Sequence, residues 1–455
     1  MALEHLPRRV RPGLRPLEPA YRPLVQRLLN LSLPVLLRFR LFRWLPAAIG
    51  RIEVIEADTL ARCWDRFAAG QVRLILAFRH AEVDDPLLGL HLLARELPRR
   101  AERLGIALPR PLRVHFLFDR GMPLWGGRPL GWVLTRLGGL SVHRGRHPDR
   151  HALRLTRELL RNGPAPFAMA PEGATNGLGE RVGPLETGVA RLALDCAEDL
   201  ARQGRPEEVL IVPVAVQYTY ARADWDRLGR LLGRLERQLG LAVRPGAEPW
   251  PRLRRLGEAL LGELERFLGL AAAPAAAGQE RIERVRQTLL RQAECRLAVP
   301  VRRGTAEGRC RDLEEAAWGR IYRDDLHRGG SLPPLRRRLA DWNAHEAALA
   351  ELRMRLVECF VAVSCDYVPQ RPSFERHMEI TLLLHDAVAR LRGDRYPGRP
   401  RLGVRHARVT VGAPLPVSRR LAEASAADRP PERGRREMTA SLLADIRRAF
   451  EQALI

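Results

Sequence analysis

The feature that most restricts the fold is an alternation of short apolar runs and helical segments between residues 51 and 220. The runs hold three to eight residues each and lie at 72–78, 114–118, 167–169 and 209–216. Helical patterns such as 86–97 and 188–203 separate them. Apolar runs of this length are typical of strands buried on both faces, and the helices between them cover such a sheet. We therefore predict an α/β fold with a mixed sheet covered by helices.

A different pattern follows between residues 221 and 400. Amphipathic helices rich in leucine, alanine and arginine are predicted at 225–239, 279–299, 334–361 and 374–392. A strand signal returns at 406–417, and a last helix is predicted at 437–454. Because one strand cannot stand alone, we expect residues 401–455 to complete the α/β core of residues 51–220. Residues 221–400 would then form an all-helical insertion.

The amino-terminal segment, residues 1–50, is basic and amphipathic, with nine arginines and two glutamates. Its uncharged apolar stretch, 28–37, holds ten residues including Pro34, whereas a membrane-spanning helix needs about twenty. Basic and aromatic residues then alternate at Arg38, Phe39, Arg40, Phe42, Arg43 and Trp44. This mixture favours a segment lying in the membrane interface. The alternative is an amphipathic helix that packs on its own domain.

The charge of the chain comes from arginine alone. The 455 residues include 77 basic ones, all arginine, and the net charge is +24. The lack of lysine is typical of codon bias in a GC-rich genome, and the arginines are spread along the chain. A nucleic-acid site needs basic residues clustered on one face, so we expect no nucleic-acid partner. The charge still predicts attraction to an anionic membrane surface or an acidic carrier protein.

Cysteines and the amino terminus give two further expectations. The six cysteines show neither a C-x-x-C pair nor a spacing typical of metal ligands, so we expect free thiols and no metal. The first residues are rich in arginine and proline and do not form the apolar segment of a secretory signal. We therefore expect a protein that works on the cytoplasmic side.

The stretch 74–90, "LILAFRHAEVDDPLLGL", places polar residues where a strand ends. Asp85 and Pro86 together predict a helix start, with Asp85 as N-cap, so His80 would lie on the turn before the helix. There the Asp85 carboxylate can reach one ring nitrogen of His80 and leave the other as a base. Two alternatives stay open: a metal site that also uses Glu82 and Asp84, or a simple cap beside an ordinary loop histidine.

Three further stretches bear on this choice: "GGLSVHRGR" (138–146), "FAMAPEGATNG" (167–177) and "VLIVPVAVQY" (209–218). Together with His80-x-x-x-x-Asp85 they resemble, in order and approximate spacing, the four blocks of the glycerolipid acyltransferase family. The resemblance covers roughly residues 50–220, and the strand and helix after residue 401 match the usual ending of the family. The helical insertion resembles the extension of large bacterial members.

The resemblance implies a reaction and a set of site residues. The family moves a fatty acyl group from a thioester, on acyl carrier protein or coenzyme A, to a glycerolipid hydroxyl without a cofactor. It implies that His80 is the general base and that Asp85 orients it. By the same resemblance, the residues that bind the acceptor are Arg144, Glu172, Gly173, Thr175 and Asn176. A guanidinium such as that of Arg144 suits a phosphate because it donates two hydrogen bonds in one plane.

Three hypotheses for the function remain. The preferred one is transfer to 1-acylglycerol-3-phosphate, which gives phosphatidic acid, by a peripheral or monotopic enzyme on the cytoplasmic face of a membrane. The second is the same chemistry on a lysophospholipid, glycerol 3-phosphate or a neutral alcohol. The third is a non-catalytic, membrane-binding adaptor. Two departures from the family pattern are Arg79, where many members have asparagine, and Thr175, which follows Ala174 where lysophosphatidate acyltransferases often have an arginine after Pro-Glu-Gly-Thr.

Overall fold

The computed structural model describes residues 9–454 except 43, 144–148, 174, 272–277, 302–303, 329–331, 362 and 426–430. Its strands are β1 Arg11–Pro12, β2 Ile49–Ile55, β3 Val72–Phe78, β4 His115–Asp119, β5 Gly139–Val142, β6 Phe167–Met169, β7 Glu208–Tyr220, β8 Tyr322–Arg323, β9 Arg405–Val411 and β10 Leu415–Pro416.

The first helices are α1 Pro23–Arg38, α2 Ala57–Ala68, α3 Asp85–His91, α4 Leu97–Arg103, α5 Met122–Gly126, α6 Arg128–Arg136, α7 Arg150–Asn162 and α8 Gly188–Arg202. The later ones are α9 Trp225–Gln238, α10 Pro249–Phe267, α11 Gly278–Leu297, α12 Ala306–Ile321, α13 Pro334–Val361, α14 Tyr367–Gln370, α15 Phe374–Leu391, α16 Val417–Ser425 and α17 Pro431–Gln452. One turn of π-helix, Leu92–Glu96, joins α3 to α4.

The described residues form two compact units. The core unit contains residues 17–142, 149–221 and 403–454, and the helical unit contains residues 9–16, 143 and 222–402. The core unit therefore takes its carboxy-terminal part from beyond the helical residues.

The core unit is built on one sheet with the strand order β2-β9-β7-β3-β6-β4-β5, and β10 also pairs with β7. Neighbouring strands run parallel, except that β9 and β10 are antiparallel to β7. The strand predicted after residue 401 lies between β2 and β7. The predicted α/β fold with a mixed sheet covered by helices is confirmed.

Strand β3 shows why its sequence is apolar at almost every position. Leu74 and Leu76 face one hydrophobic cluster, which includes residues of α1 to α4. Ile75 and Ala77 face the other, which includes residues of α7, α8 and α17. Since helices cover both faces, neither set of alternate positions on the strand can be polar. Strand β3 ends at Phe78. The residues that follow it leave the sheet at the carboxyl ends of the parallel strands, where the candidate site lies.

In the helical unit, glutamates and arginines join successive helices. A glutamate in the last turn of one helix accepts hydrogen bonds from an arginine in the first turns of the next. The pairs are Glu236 with Arg252, Glu265 with Arg281 and Arg284, and Glu294 with Arg309. The planar guanidinium can meet both carboxylate oxygens at once, which suits it to this repeated use.

The structure corrects the predicted helix start. Helix α3 begins at Asp85, and the N-cap is Asp84, whose side chain makes no capping hydrogen bond. The Asp84 carboxylate instead pairs with Arg405 of β9. The prediction was wrong by one residue, because an Asp-Pro pair indicates a helix start without distinguishing the N-cap from the first helical position.

Among the described residues, no helix has the length and apolar character needed to cross a membrane. Helix α1 has 16 residues and contains Pro34.

Candidate active site

His80 lies on the turn between β3 and α3, as the sequence predicts. Its Nδ1 is 3.3 Å from Oδ2 of Asp85, and about a quarter of the His80 side chain, 28%, is exposed whereas Asp85 is fully buried. A carboxylate only accepts hydrogen bonds, so the proton of a neutral His80 ring belongs on Nδ1. That assignment leaves Nε2 as the nitrogen that can take a proton from another group.

Asp85 is held in place by more than the histidine. Its Oδ2 also accepts a hydrogen bond from the backbone N–H of Glu82 at 2.8 Å, and its Oδ1 accepts one from the Tyr218 hydroxyl at 2.6 Å. Both carboxylate oxygens therefore have donors, and the side chain has a fixed orientation toward His80.

Tyr218 and Arg405 were not predicted as site residues. The guanidinium carbon of Arg405 lies 4.6 Å from the centre of the Tyr218 ring, and Arg405 also donates to the backbone carbonyl of Ala47 at 2.9 Å. Tyr218 is the last residue of the fourth quoted stretch, so its position was available in the sequence. Nothing in the sequence around Arg405 points to the site, because the contact depends on β9 entering the sheet.

Glu172 follows β6, the strand next to β3. Its Oε1 accepts a hydrogen bond from the backbone N–H of Gly183 at 3.0 Å, whereas its Oε2 is buried and has no hydrogen-bond partner among the described residues. The turn passes through Gly173 with φ of +74°, a conformation that costs a residue with a side chain about 1 kcal/mol or more. The glycine thus allows the sharp turn that directly follows Glu172.

Arg79 connects the loop after Glu172 to the sheet. It is fully buried and donates to four backbone carbonyls, those of Leu178, Gly179, Arg181 and Val216, at 2.8–3.0 Å. Its Nε lies 3.7 Å from Oε1 of Glu172. The residue that departs from the family pattern therefore has a structural role here: it fixes the loop beside the histidine turn. The backbone N–H of Gly177 adds a bond to the carbonyl of Ala81 at 3.0 Å.

The other predicted acceptor-binding residues have mixed outcomes. The Asn176 Oδ1 accepts from the backbone N–H of Leu178 at 2.9 Å, so this side chain shapes its own loop. Thr175 is exposed. Arg144 lies outside the described residues. Strand β5 ends two residues before it, at Val142, on the same edge of the parallel strands as the ends of β3 and β6.

Burial changes the acid–base character of the site. It raises the pKa of Glu172, and the opposite charge of Arg79 and the Gly183 N–H only partly oppose this. It also raises the pKa of Asp84, against the effect of Arg405, and it raises the pKa of Tyr218 well above its ordinary value. Tyr218 therefore stays a hydrogen-bond donor at any ordinary pH.

The metal alternative finds no support in the described part of the chain. No three histidine, cysteine, aspartate or glutamate side chains there lie close enough together to hold a metal ion. The six cysteines form no disulfide.

The geometry puts a histidine–aspartate pair and a buried glutamate at the carboxyl ends of neighbouring parallel strands. A family model described as Acyltransferase matches residues 57–217, which include all three. The chain carries an acyltransferase domain of the glycerolipid acyltransferase family. Neither the curated proteins nor the solved structures compared with the chain gave a match. The acyltransferase domain supports transfer of an acyl group as the general function.

Proposed function

We propose that this acyltransferase moves a fatty acyl group from an acyl thioester to 1-acylglycerol-3-phosphate and so forms phosphatidic acid. The observation that carries the proposal is the His80–Asp85 pair on a turn beside the Glu172 loop. The pair can deprotonate a hydroxyl, and the loop offers a carboxylate oxygen without a hydrogen-bond partner among the described residues.

In the proposed step, Nε2 of His80 takes the proton of the acceptor hydroxyl while the hydroxyl oxygen attacks the thioester carbonyl carbon. The tetrahedral intermediate collapses, the carbon–sulfur bond breaks, and the leaving thiolate takes the proton from the imidazolium. The products are an ester and a thiol, so no oxidant or added group is needed. Asp85 stabilises the imidazolium during the step because its carboxylate faces Nδ1.

The choice of acceptor rests on the match of Arg144 and Glu172 to the acceptor-binding blocks of the family. Glu172 Oε2 can accept a hydrogen bond from a hydroxyl of the glycerol backbone, since it lacks a donor within the described structure. Arg144 would bind the phosphate. The two residues would then bind different parts of the same acceptor: Glu172 a hydroxyl of the glycerol backbone and Arg144 the phosphate.

The test is a thiol-release assay with acyl-coenzyme A and acyl–acyl carrier protein of one chain length. The acceptors are 1-acylglycerol-3-phosphate, glycerol 3-phosphate, lysophosphatidylcholine and a long-chain alcohol, and mass spectrometry identifies each product. We expect the highest kcat/KM with 1-acylglycerol-3-phosphate. A higher value with the neutral alcohol would overturn the proposed acceptor and leave the acyl transfer standing. The absence of thiol release with every pair would overturn the proposed reaction.

Arg144→Ala tests the phosphate contact, and Arg146→Ala, two residues further along the same stretch, is the matched control. We expect Arg144→Ala to raise the KM for phosphate-bearing acceptors and to leave the KM for the thioester and for a neutral alcohol unchanged. An effect on the thioester alone would mean that Arg144 binds the donor.

We also propose that α1 attaches the core unit to an anionic membrane surface. One face of the helix exposes Leu24, Leu28, Leu31 and Val35, and the segment after it exposes Phe39, Leu41 and Phe42. Leu33 and Leu37 on the opposite face are buried. A helix with one apolar face buried and another exposed suits insertion at the headgroup level, where a lipid acceptor would be reached.

Vesicle flotation tests the attachment. Leu24→Ser/Leu28→Ser removes two leucines that are 66% and 58% exposed, and the control Leu335→Ser/Leu339→Ser on α13 removes two at the same spacing that are 72% and 51% exposed. We expect only the α1 variant to lose binding to phosphatidylglycerol vesicles. A loss in the α13 variant alone would place the lipid contact on the helical unit.

A further inference from the structure

We propose that Tyr218 and Arg405 are positioning residues for the general base, acting on His80 through Asp85. The inference rests on the proposed role of His80 in acyl transfer. Both residues lie outside the segment 57–217 that the family model matches. The active site therefore extends into β9, which follows the helical residues in the chain.

Tyr218 contacts Asp85 directly. The two carboxylate oxygens of Asp85 have separate tasks: Oδ2 faces His80 and Oδ1 accepts the Tyr218 hydroxyl at 2.6 Å. Without the hydroxyl, Oδ1 would be a buried charged atom with no donor, and the carboxylate could turn away from the ring. A hydrogen bond to a charged group is strong enough to hold this orientation.

Arg405 contacts the tyrosine ring in turn. The guanidinium lies over the Tyr218 ring at 4.6 Å and pairs with Asp84, the neighbour of Asp85. Arg405 is buried and lies beside the Asp84–Asp85 turn. Here the ion pair is made with Asp84, which leaves the Asp85 carboxylate available to His80 and Tyr218. Arg405 thus fixes the ring of Tyr218, and its charge is paired with Asp84 instead of Asp85.

Tyr218 and Arg405 lie on the neighbouring strands β7 and β9. Tyr218 pairs with Ala407 across β7 and β9, two residues from Arg405. The register of these two strands decides whether the guanidinium meets the ring. A core unit without β9 would keep the histidine and both aspartates but lose the contact that separates their roles.

The experiment compares Tyr218→Phe with wild type in the full chain, in the presence and absence of Asp85→Ala. We expect Tyr218→Phe to lower kcat about ten- to hundredfold, as loss of a hydrogen bond to a charged group does, with both KM values unchanged. In the Asp85→Ala background the same change should have no effect, because Tyr218 acts through Asp85. If Asp85→Ala does not fold, Asp85→Asn serves as the background.

Tyr367→Phe is the matched control, since the Tyr367 hydroxyl donates to a carboxylate, that of Glu379, at 2.5 Å within the helical unit. It should leave kcat unchanged. For Arg405, the variant is Arg405→Lys, with Arg408→Lys on the same strand as control. We expect a three- to tenfold fall in kcat only for Arg405→Lys, because lysine keeps the charge and loses the planar stack.

A second readout does not depend on turnover. Nitrogen-15 NMR of histidine-labelled protein, with the His80 signals assigned through His80→Ala, reports which ring nitrogen carries the proton. We expect the Nδ1–H form in wild type and a mixture of both forms in Tyr218→Phe. Wild-type kcat in a folded Tyr218→Phe, an unchanged tautomer, or an equal loss in the Asp85→Ala background would overturn the inference. No turnover by the wild type would instead count against the proposed function, and the tautomer would still test the positioning.

Discussion

The helical unit and the core unit each bury a glutamate close to an arginine, but the pKa of the glutamate shifts in opposite directions. In the helical unit, hydrogen bonds from Arg281 hold the pKa of Glu265 below its usual range. In the core unit, burial raises the pKa of Glu172, although Arg79 lies 3.7 Å away. One carboxylate has all the donors it needs, and the other keeps an oxygen without a partner among the described residues.

The difference has two causes: burial has the largest effect on the pKa of Glu172, and the arginines of the two units direct their hydrogen bonds to different groups. Arg281 and Arg284 donate to the carboxylate of Glu265 itself. Arg79 donates to backbone carbonyls and so offers Glu172 its charge without a hydrogen bond. A buried acid that is left partly unsatisfied is costly for folding, and such costs concentrate at functional sites. A buried carboxylate with an unsatisfied oxygen, such as Glu172, therefore indicates a site residue, whereas a fully paired one, such as Glu265, indicates a structural role.

The largest effect is expected for His80→Ala. Loss of a general base should lower kcat/KM about 10²–10⁴-fold. The fold should be unaffected, because the ring is partly exposed and its Nδ1 faces Asp85. Steady-state kinetics and near-UV circular dichroism check this. His151→Ala, which removes a surface histidine–carboxylate pair with Glu18, should change neither quantity. Near-wild-type turnover of folded His80→Ala would refute the mechanism.

Glu172→Gln should separate activity from stability. We expect kcat/KM to fall about ten- to hundredfold, because an amide binds a hydroxyl group less strongly than a carboxylate does. The melting temperature should stay the same or rise, because the ionised form of Glu172 is costly when buried and an amide oxygen can keep the Gly183 hydrogen bond. A clearly lower melting temperature would show that Glu172 has a structural role, as Glu265 does in its pairs with Arg281 and Arg284.

Glu265→Gln should show the reverse outcome. It removes the charge that meets Arg281 and Arg284, and the neutral amide can keep one of the hydrogen bonds. We expect the helical unit to lose about 1.5 kcal/mol of stability, the lower end for hydrogen bonds to charged groups. Faster hydrogen–deuterium exchange in α10 and α11 of the full chain would show it, with kcat/KM unchanged. Exchange at the wild-type rate would contradict the structural role.

The smallest effect is expected for the pH dependence of the stability that Glu265 gives to the helical unit. The folded-state pKa of Glu265 is below its unfolded value of 4.5, so its contribution is complete above about pH 4.5 and is lost as the pH falls through the folded pKa. Glu172 has the opposite sign: its raised pKa means that ionisation costs stability at neutral pH, and acidification removes that cost.

Exchange in α10 and α11, measured from about pH 6 to about pH 3, checks this sign. The difference between wild type and Glu265→Gln should shrink as the pH falls. A constant difference over the whole range would mean that the charge of Glu265 is not what stabilises the helices.

Much of the core unit could be predicted because its signals are local. The apolar run before His80 predicts a strand, and Asp85 followed by Pro86 predicts a helix close to where it begins. The His80–Asp85 contact follows from these two features, since the turn between them is short. The wrong N-cap shows the limit: Asp84 and Asp85 are adjacent in the sequence, and their different roles depend on tertiary contacts, with Arg405 for Asp84 and with Tyr218 for Asp85.

Local sequence features are enough to predict that a histidine and an aspartate can meet at the end of a covered strand, and that amphipathic helices follow the core. These features depend on periodicity and on a few neighbouring residues. The packing of distant segments establishes that Tyr218 donates to Asp85, that Arg405 pairs with Asp84, and that Arg79 fixes the loop after Glu172. Those contacts join residues 99 to 321 positions apart. Their partners are set by strand order and register, which bring together side chains that no local pattern connects.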